Sequence, residues 1–268
     1  MKNLRAYLLN LGSMESDSDS AAYWGATAAT CAEPNMPHRM LETPSYAVLI
    51  DHPEAGWLLY DTGMGDPAAW PQHILDVVRT HKPPEATMEH QLSLLGLKPS
   101  DIRAVILSHM HMDHIGNDYL FADTAEFFAA RDEVGYAAQC VLCSQDPADR
   151  GFFIREDVLL ARRRLTCLDR DEELFPGVET VLLPGHTPGV MGLLLHLEGG
   201  PILFPSDAAA FRKNLEYRQP AGVYDSIRYA QSIRKIHDIR KKYGARVFCS
   251  HDGEQIHGEM RFAPYCYE

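Results

Sequence analysis

The sequence predicts an α/β protein, and three observations predict it. Apolar runs of strand length recur along the chain, and helical patterns lie between some of them. About 46% of the 268 residues are hydrophobic and 23% are charged, which suits a globular chain with a substantial core. Strands alternating with helices point to the α/β class.

The opening "MKNLRAYLLNLGS" carries early positive charge, but its apolar run is too short for a signal peptide and no small-residue cleavage site follows. Residues 12–44 are polar and rich in small side chains, so they read as a long loop. Loops of that length often serve function. Met14, Tyr23, Trp24, Met36 and Met40 give this one apolar material for a pocket wall. Residues 46–52, "YAVLIDH", and 56–63, "GWLLYDTG", are separated by "PEA" and read as a hairpin. Four further runs, "RAVILSH" (103–109), "ETVLLPGH" (179–186), "GPILFPSD" (200–207) and "ARVFCSH" (245–251), each end at His or Asp.

Residues 139–150 read as irregular. Cys140 and Cys143 there form a C-x-x-C, but no second pair and no thioredoxin-like context accompany it, so it is not read as a metal or redox pair. The clearest helix spans Ser226 to Tyr243. Ile227, Ala230, Ile233, Ile236 and Ile239 mark one face, and Gly244 suits the stop. Arg228, Arg234, Lys235, Lys241 and Lys242 read as its solvated side. With no repeat and no linker, residues 1–268 read as one domain.

Charge and cysteine content narrow the function. The net charge is −12, without the basic excess that phosphate binding needs, so nucleic acid and anionic membranes are not expected partners. No apolar stretch approaches the roughly 18 residues of a membrane span. Six cysteines are too sparse for a disulfide scaffold in a chain this long. The protein reads as cytoplasmic with reduced thiols. A homodimer is compatible with the sequence, which does not set the oligomeric state.

The densest chemistry is "ILSHMHMDHIGN", residues 106–117. It packs His109, His111, Asp113 and His114 into six positions after a strand. Imidazole and carboxylate are zinc ligands. In an extended or tightly turning segment, His109 and His111 point the same way and reach one metal. Asp113 and His114 then serve a neighbouring position. Two metals need more ligands, and His186, Asp207 and His251 offer them at the ends of later strands. Ligand sites in α/β sheets favour that edge.

The pattern H-x-H-x-D-H, then "PGHTPG", then strands ending in Asp and in "SHD", resembles the metallo-β-lactamase superfamily. Within it, "HMHMDHIGN", "YDTG" and "FAPYCYE" are most similar to the N-acyl-homoserine lactonase group, from about residue 47 onward. The resemblance implies an αββα sandwich with a dinuclear zinc site at the sheet edge. It implies His109, His111 and His186 on one zinc. Asp113, His114 and His251 would hold the other, with Asp207 bridging and Asp61 orienting a ligand. It implies a hydrolase that opens a lactone ring by attack of hydroxide held between the metals. Asp113 would protonate the leaving oxygen, and no organic cofactor is needed.

His111, where flavin-linked di-iron relatives carry Glu, suits zinc and hydrolysis, and His114 separates the chain from many true β-lactamases. Thioester hydrolases of the glyoxalase II type share all seven ligands, so another lactone, ester or thioester remains the alternative substrate. A metal-bound binding protein without turnover is the other reading. One departure favours it. The group places a substrate-binding tyrosine three residues after the bridging aspartate, where this chain has Ala210 followed by Phe211. Tyr224, Tyr23 and Phe211 are the candidate substrate contacts, with Tyr224 first to replace the phenol.

Overall fold

The computed structural model describes residues 2–19, 31–32, 34, 39–160 and 162–268. Seven strands form the first sheet: β1 (Arg5–Asp17), β2 (Met40–His52), β3 (Gly56–Tyr60), β4 (Val78–His81), β5 (Ile102–Ile106), β6 (Glu126–Ala130) and β7 (Arg164–Leu168). Their spatial order is β4-β1-β2-β3-β5-β6-β7. The second sheet comprises β8 (Glu172–Phe175), β9 (Val178–Leu182), β10 (Met191–Leu195), β11 (Ile202–Phe204) and β12 (Arg246–Val247), in the order β12-β11-β10-β9-β8.

Period-two alternation explains why both faces of the first sheet are covered. In β1 and β2, Ala6, Leu8, Val48 and Ile50 point into the space between the sheets, where they meet Met191, Leu193, Leu195 and Phe204. Their neighbours Leu9, Leu11, Ala47 and Leu49 point outward, against Leu92 of one helix and Ala137 and Val141 of another. On the far face of the second sheet, Val181, Leu183, Leu194 and Leu203 pack on Tyr229, Ile233 and Ile236 of the helix Ser226–Tyr243. The layers are helix, sheet, sheet, helix, as the resemblance implies. The hairpin is present as β2 and β3, paired antiparallel with Val48 opposite Tyr60.

Three local readings are corrected. Much of the expected 12–44 loop is strand: β1 runs to Asp17 and β2 starts at Met40, with Asp17 opposite Met40. Met14 and Ser16 are buried between half-buried Ser13, Glu15 and Asp17, a period of two that polar residues disguise. Cys140 and Cys143 lie in the last turn of the helix Arg131–Cys143, not in irregular chain. Glu133, Ala137 and Val141 form its buried stripe, too polar and too small to stand out. In the helix Ser226–Tyr243, Ile227 is 73% exposed and Ala230 is also exposed, while Tyr229, Ser232, Ile233 and Ile236 face the sheet. A three-residue repeat drifts around a helix of 3.6 residues per turn, so the first positions rotate off the core.

Candidate metal centre

Strand direction gathers the site. β9 and β11 each pair antiparallel with β10, and β11 pairs parallel with β12. Strands β9, β11 and β12 therefore run the same way and end at one edge. His186, Asp207 and His251 follow those ends. His109 follows β5. His111 sits at the start of the short helix Met112–Ile115, which carries Asp113 and His114. Gly116 closes that turn against Gly65 backbone to backbone. A methyl group on Gly116 would lie 2.2 Å from the Gly65 nitrogen.

The structure brings all seven predicted residues together. Their ligand atoms form three overlapping groups, each within 4.8 Å: His109, His111 and His186; His109, His114 and Asp207; and Asp113, His114 and His251. Asp207 reaches both ends. Its Oδ2 lies 3.4 Å from His186 Nε2 and 3.9 Å from His109 Nε2, and its Oδ1 lies 3.1 Å from His251 Nε2 and 3.4 Å from His114 Nε2. Asp113 Oδ2 is 3.5 Å from His251 Nε2 and 3.6 Å from His114 Nε2.

The surrounding hydrogen bonds set which nitrogen of each ring faces the centre. Asp61 Oδ2 is 2.8 Å from His114 Nδ1, which leaves His114 Nε2 buried and unpartnered, aimed at Asp207. Asp61 also accepts from Ser108 N and Ser108 Oγ, both at 2.7 Å. Its backbone has φ of 57°, an uncommon conformation for a residue with a side chain. His251 Nδ1 is 2.8 Å from the Pro44 carbonyl, which turns Nε2 inward. Ser250 donates to Asp207 Oδ1 at 2.7 Å. Ser108 and Ser250 escaped the sequence reading, although each directly precedes a histidine of the site and shares its strand end.

Electrostatics fits cations at this centre. Burial, reinforced by neighbouring imidazoles, depresses His109 and His111 well below the usual histidine range and lowers His186 as well. These three rings are neutral, with nitrogens converging at 3.1 Å from His111 Nδ1 to both His109 Nε2 and His186 Nε2. Burial works against protonated His114, yet the Asp113, Asp207 and Asp61 carboxylates hold it well above the usual range. His251 is raised against burial by Asp207 and Asp113. Asp207 resists burial and stays well below the usual carboxylate range beside His251 and His114. Buried anions that draw protons onto imidazoles, converging neutral nitrogens and the orphaned His114 Nε2 all match what transition-metal ions require.

The substrate candidates are placed unequally. Tyr23, like Trp24 and Met36, lies outside the described residues. Tyr224 is 54% exposed. Its N–H donates to the His186 carbonyl at 3.2 Å, and its ring meets Tyr136 edge-on at 4.9 Å between centroids. Phe211 is buried with Ala210 and Leu41, on the wall of a cavity of about 700 Å³ also bordered by Glu42, Arg212 and Glu254. Met14 is buried with Met64, Trp70, Ile74 and Met112, and Met112 lies between His111 and Asp113. Met40, at the start of β2, is 49% exposed. Among the described residues, no helix is long and apolar enough to cross a membrane.

Known proteins are similar to this chain along most of its length. An N-acyl homoserine lactonase from Bacillus sp is 30% identical over 242 residues, 85% of this chain and 89% of that protein. The N-acyl homoserine lactonase AiiB of Agrobacterium fabrum is 30% identical over 281 residues, 98% of this chain and 99% of that protein. A solved N-acyl homoserine lactone hydrolase, with the product N-hexanoyl-L-homoserine at its catalytic metal center, superposes with a TM-score of 0.81 at 25% identity, covering 98% of each chain. The family model of the metallo-β-lactamase superfamily matches residues 41–251, a span that begins in β2 and ends on the last histidine of the cluster. Fold, cluster and kinship agree, and the chain belongs to the metallo-β-lactamase superfamily.

Proposed function

We propose that this chain is a dinuclear zinc hydrolase that opens the lactone ring of N-acyl homoserine lactones. The observation that carries the reading is Asp207, whose two oxygens face the two halves of one His/Asp cluster. His109, His111 and His186 would hold one ion, and Asp113, His114 and His251 the other, with Asp207 between them. When bound, zinc polarises a carbonyl and lowers the pKa of water toward about 7.

The protein's own groups do the rest. Asp61 fixes the His114 ring by taking its Nδ1, so Nε2 faces inward. Asp113, buried beside His114 and His251, would take the proton released by the attacking water and pass it to the ring oxygen as the C–O bond breaks. An alkoxide is a poor leaving group, and this transfer lets it depart as a hydroxyl. The kinship favours lactones over thioesters, since the similar proteins are N-acyl homoserine lactonases. A panel of N-acyl homoserine lactones, other lactones, esters and a glutathione thioester, followed by acid release, tests the reading. It expects the N-acyl homoserine lactones to turn over fastest. A thioester as the best substrate, or no turnover at all, would overturn it.

Ala210 is buried and has no hydroxyl to offer, and its carbonyl accepts the His251 N–H at 2.9 Å. Tyr224, tied through its backbone to His186, is the phenol we assign to the substrate carbonyl. Tyr224→Phe removes the hydroxyl and keeps the ring against Tyr136. We expect kcat to fall by up to about a hundredfold, as for loss of one oxyanion donor, with the melting temperature unchanged because the residue is exposed. Wild-type kinetics on the best lactone would leave Tyr224 as a packing residue.

A further inference from the structure

Glu133 lies outside the cluster of metal-binding candidates, yet it touches both loops that supply one half of it. It sits in the first turn of the helix Arg131–Cys143 and is completely buried. Among the described residues no cation pairs with it. Its Oε1 accepts the N–H of Met110 at 2.9 Å, the residue between His109 and His111. Its Oε2 accepts the hydroxyl of Thr187, directly after His186, at 2.5 Å, and the N–H of Gly189, three residues after His186, at 3.2 Å. The approach is close. A methyl group on Gly189 would lie 2.4 Å from the Glu133 nitrogen.

A buried carboxylate with no counter-ion is expensive, and its cost must be met by the donors around it. Here two of the three donors belong to residues next to metal-ligand candidates, Met110 and Thr187, and the third, Gly189, lies further along the same loop as His186; the two loops come from different sheets. Burial raises this carboxyl to about 6, and the same three hydrogen bonds pull it back toward ionisation. The helix N-terminus also favours the anion. An apolar residue would fill the buried stripe with Ala137 and Val141 without the cost of a buried charge.

We propose that Glu133 is a positioning residue that sets the spacing between the His109–His111 pair and His186, and so the metal affinity of that half of the centre. This rests on the metal-binding reading above. Glu133→Gln keeps the shape but replaces one accepting oxygen with a donating NH2, so one loop loses its anchor. Thr187→Val removes a single donor, and Thr187→Ser returns it.

The experiment measures zinc affinity of the metal-free full chain by competition with a chromophoric chelator. Melting of the metal-free protein, kcat and KM are followed alongside. The wild type should take up two equivalents. Glu133→Gln should weaken one of them by about 10- to 100-fold, in the range seen when groups behind metal ligands are lost. The other equivalent and the metal-free melting temperature should stay close to wild type, and kcat should fall more than KM rises. Thr187→Val should shift the same equivalent, and Thr187→Ser should restore it. Wild-type affinity in both Glu133→Gln and Thr187→Val would overturn the positioning role alone. So would equal weakening of both equivalents with a large drop in metal-free melting. If Glu133→Gln fails to fold, the Val and Ser variants at Thr187 decide: indistinguishable affinities overturn the proposal. A wild type that binds no zinc would overturn the metal reading and this proposal together.

Discussion

Asp207→Ala is expected to lower lactone turnover by on the order of a hundredfold or more, the scale of removing a central electrostatic group. The residue is 8% exposed, and its side chain lies between the two halves of the cluster. Oδ2 faces His186 and His109, and Oδ1 faces His251 and His114. Among the described residues no other carboxylate spans both. Asp113 reaches only His114 and His251. Without Asp207 the two proposed ions would lose a shared anion, and the protein would no longer fix their separation. The backbone should survive, since Asp207 lies in a short 3-10 turn after β11 and its side chain holds no strand. The structural losses are the acceptor for Ser250, worth about 1 kcal/mol, and the carboxylate beside the buried His114 and His251 rings. Circular dichroism and thermal melting would verify the fold, and kcat/KM on an N-acyl homoserine lactone would read the effect. Near-native turnover would reduce Asp207 to a turn residue.

Asp61→Asn should have the second largest effect, by a different route. Asp61 touches no metal position directly. It accepts from Ser108 N, Ser108 Oγ and His114 Nδ1, all at 2.7–2.8 Å. An asparagine has one accepting oxygen, and its NH2 must face either the Ser108 backbone N–H or the pair formed by Ser108 Oγ and His114 Nδ1. In the second orientation His114 accepts at Nδ1 and carries its proton on Nε2, the nitrogen aimed at the centre. Substituting such supporting partners costs about 10- to 100-fold in metal affinity or activity. Chelator competition and kcat on the same preparation would measure both. Unchanged affinity and unchanged kcat would mean that Asp61 only shapes the turn after β3.

These two residues also show how much the sequence discloses. The cluster was legible because its members are dense and each follows a strand end: His109, His111, Asp113 and His114 in one segment, His186, Asp207 and His251 singly. The hairpin β2–β3 and the limits of the helix Ser226–Tyr243 were legible from apolar runs and a closing glycine. Ser108, Ser250 and Glu133 were not. Serine before histidine has no distinctive pattern, and a glutamate in the first turn of a helix normally faces water. Only the packing of the helix Arg131–Cys143 beneath two loops from different sheets turns Glu133 inward. The polar ends of β1 and β2 were missed because strand alternation was read from apolar residues, and there it is carried by Ser13, Glu15 and Asp17. The sequence offers Tyr224 only as a candidate phenol, and the structure ties its backbone to His186.

Lactone opening by two metals held in one centre is tested by elemental analysis of the protein purified without added metal, with lactone turnover measured on the same sample before and after chelation. Seven converging ligands are too many for one tetrahedral ion. The expected result is two transition-metal ions per chain, mostly zinc, with activity lost on chelation and regained on return of zinc. A reproducible content of one ion or less, in protein that keeps full activity, would contradict it.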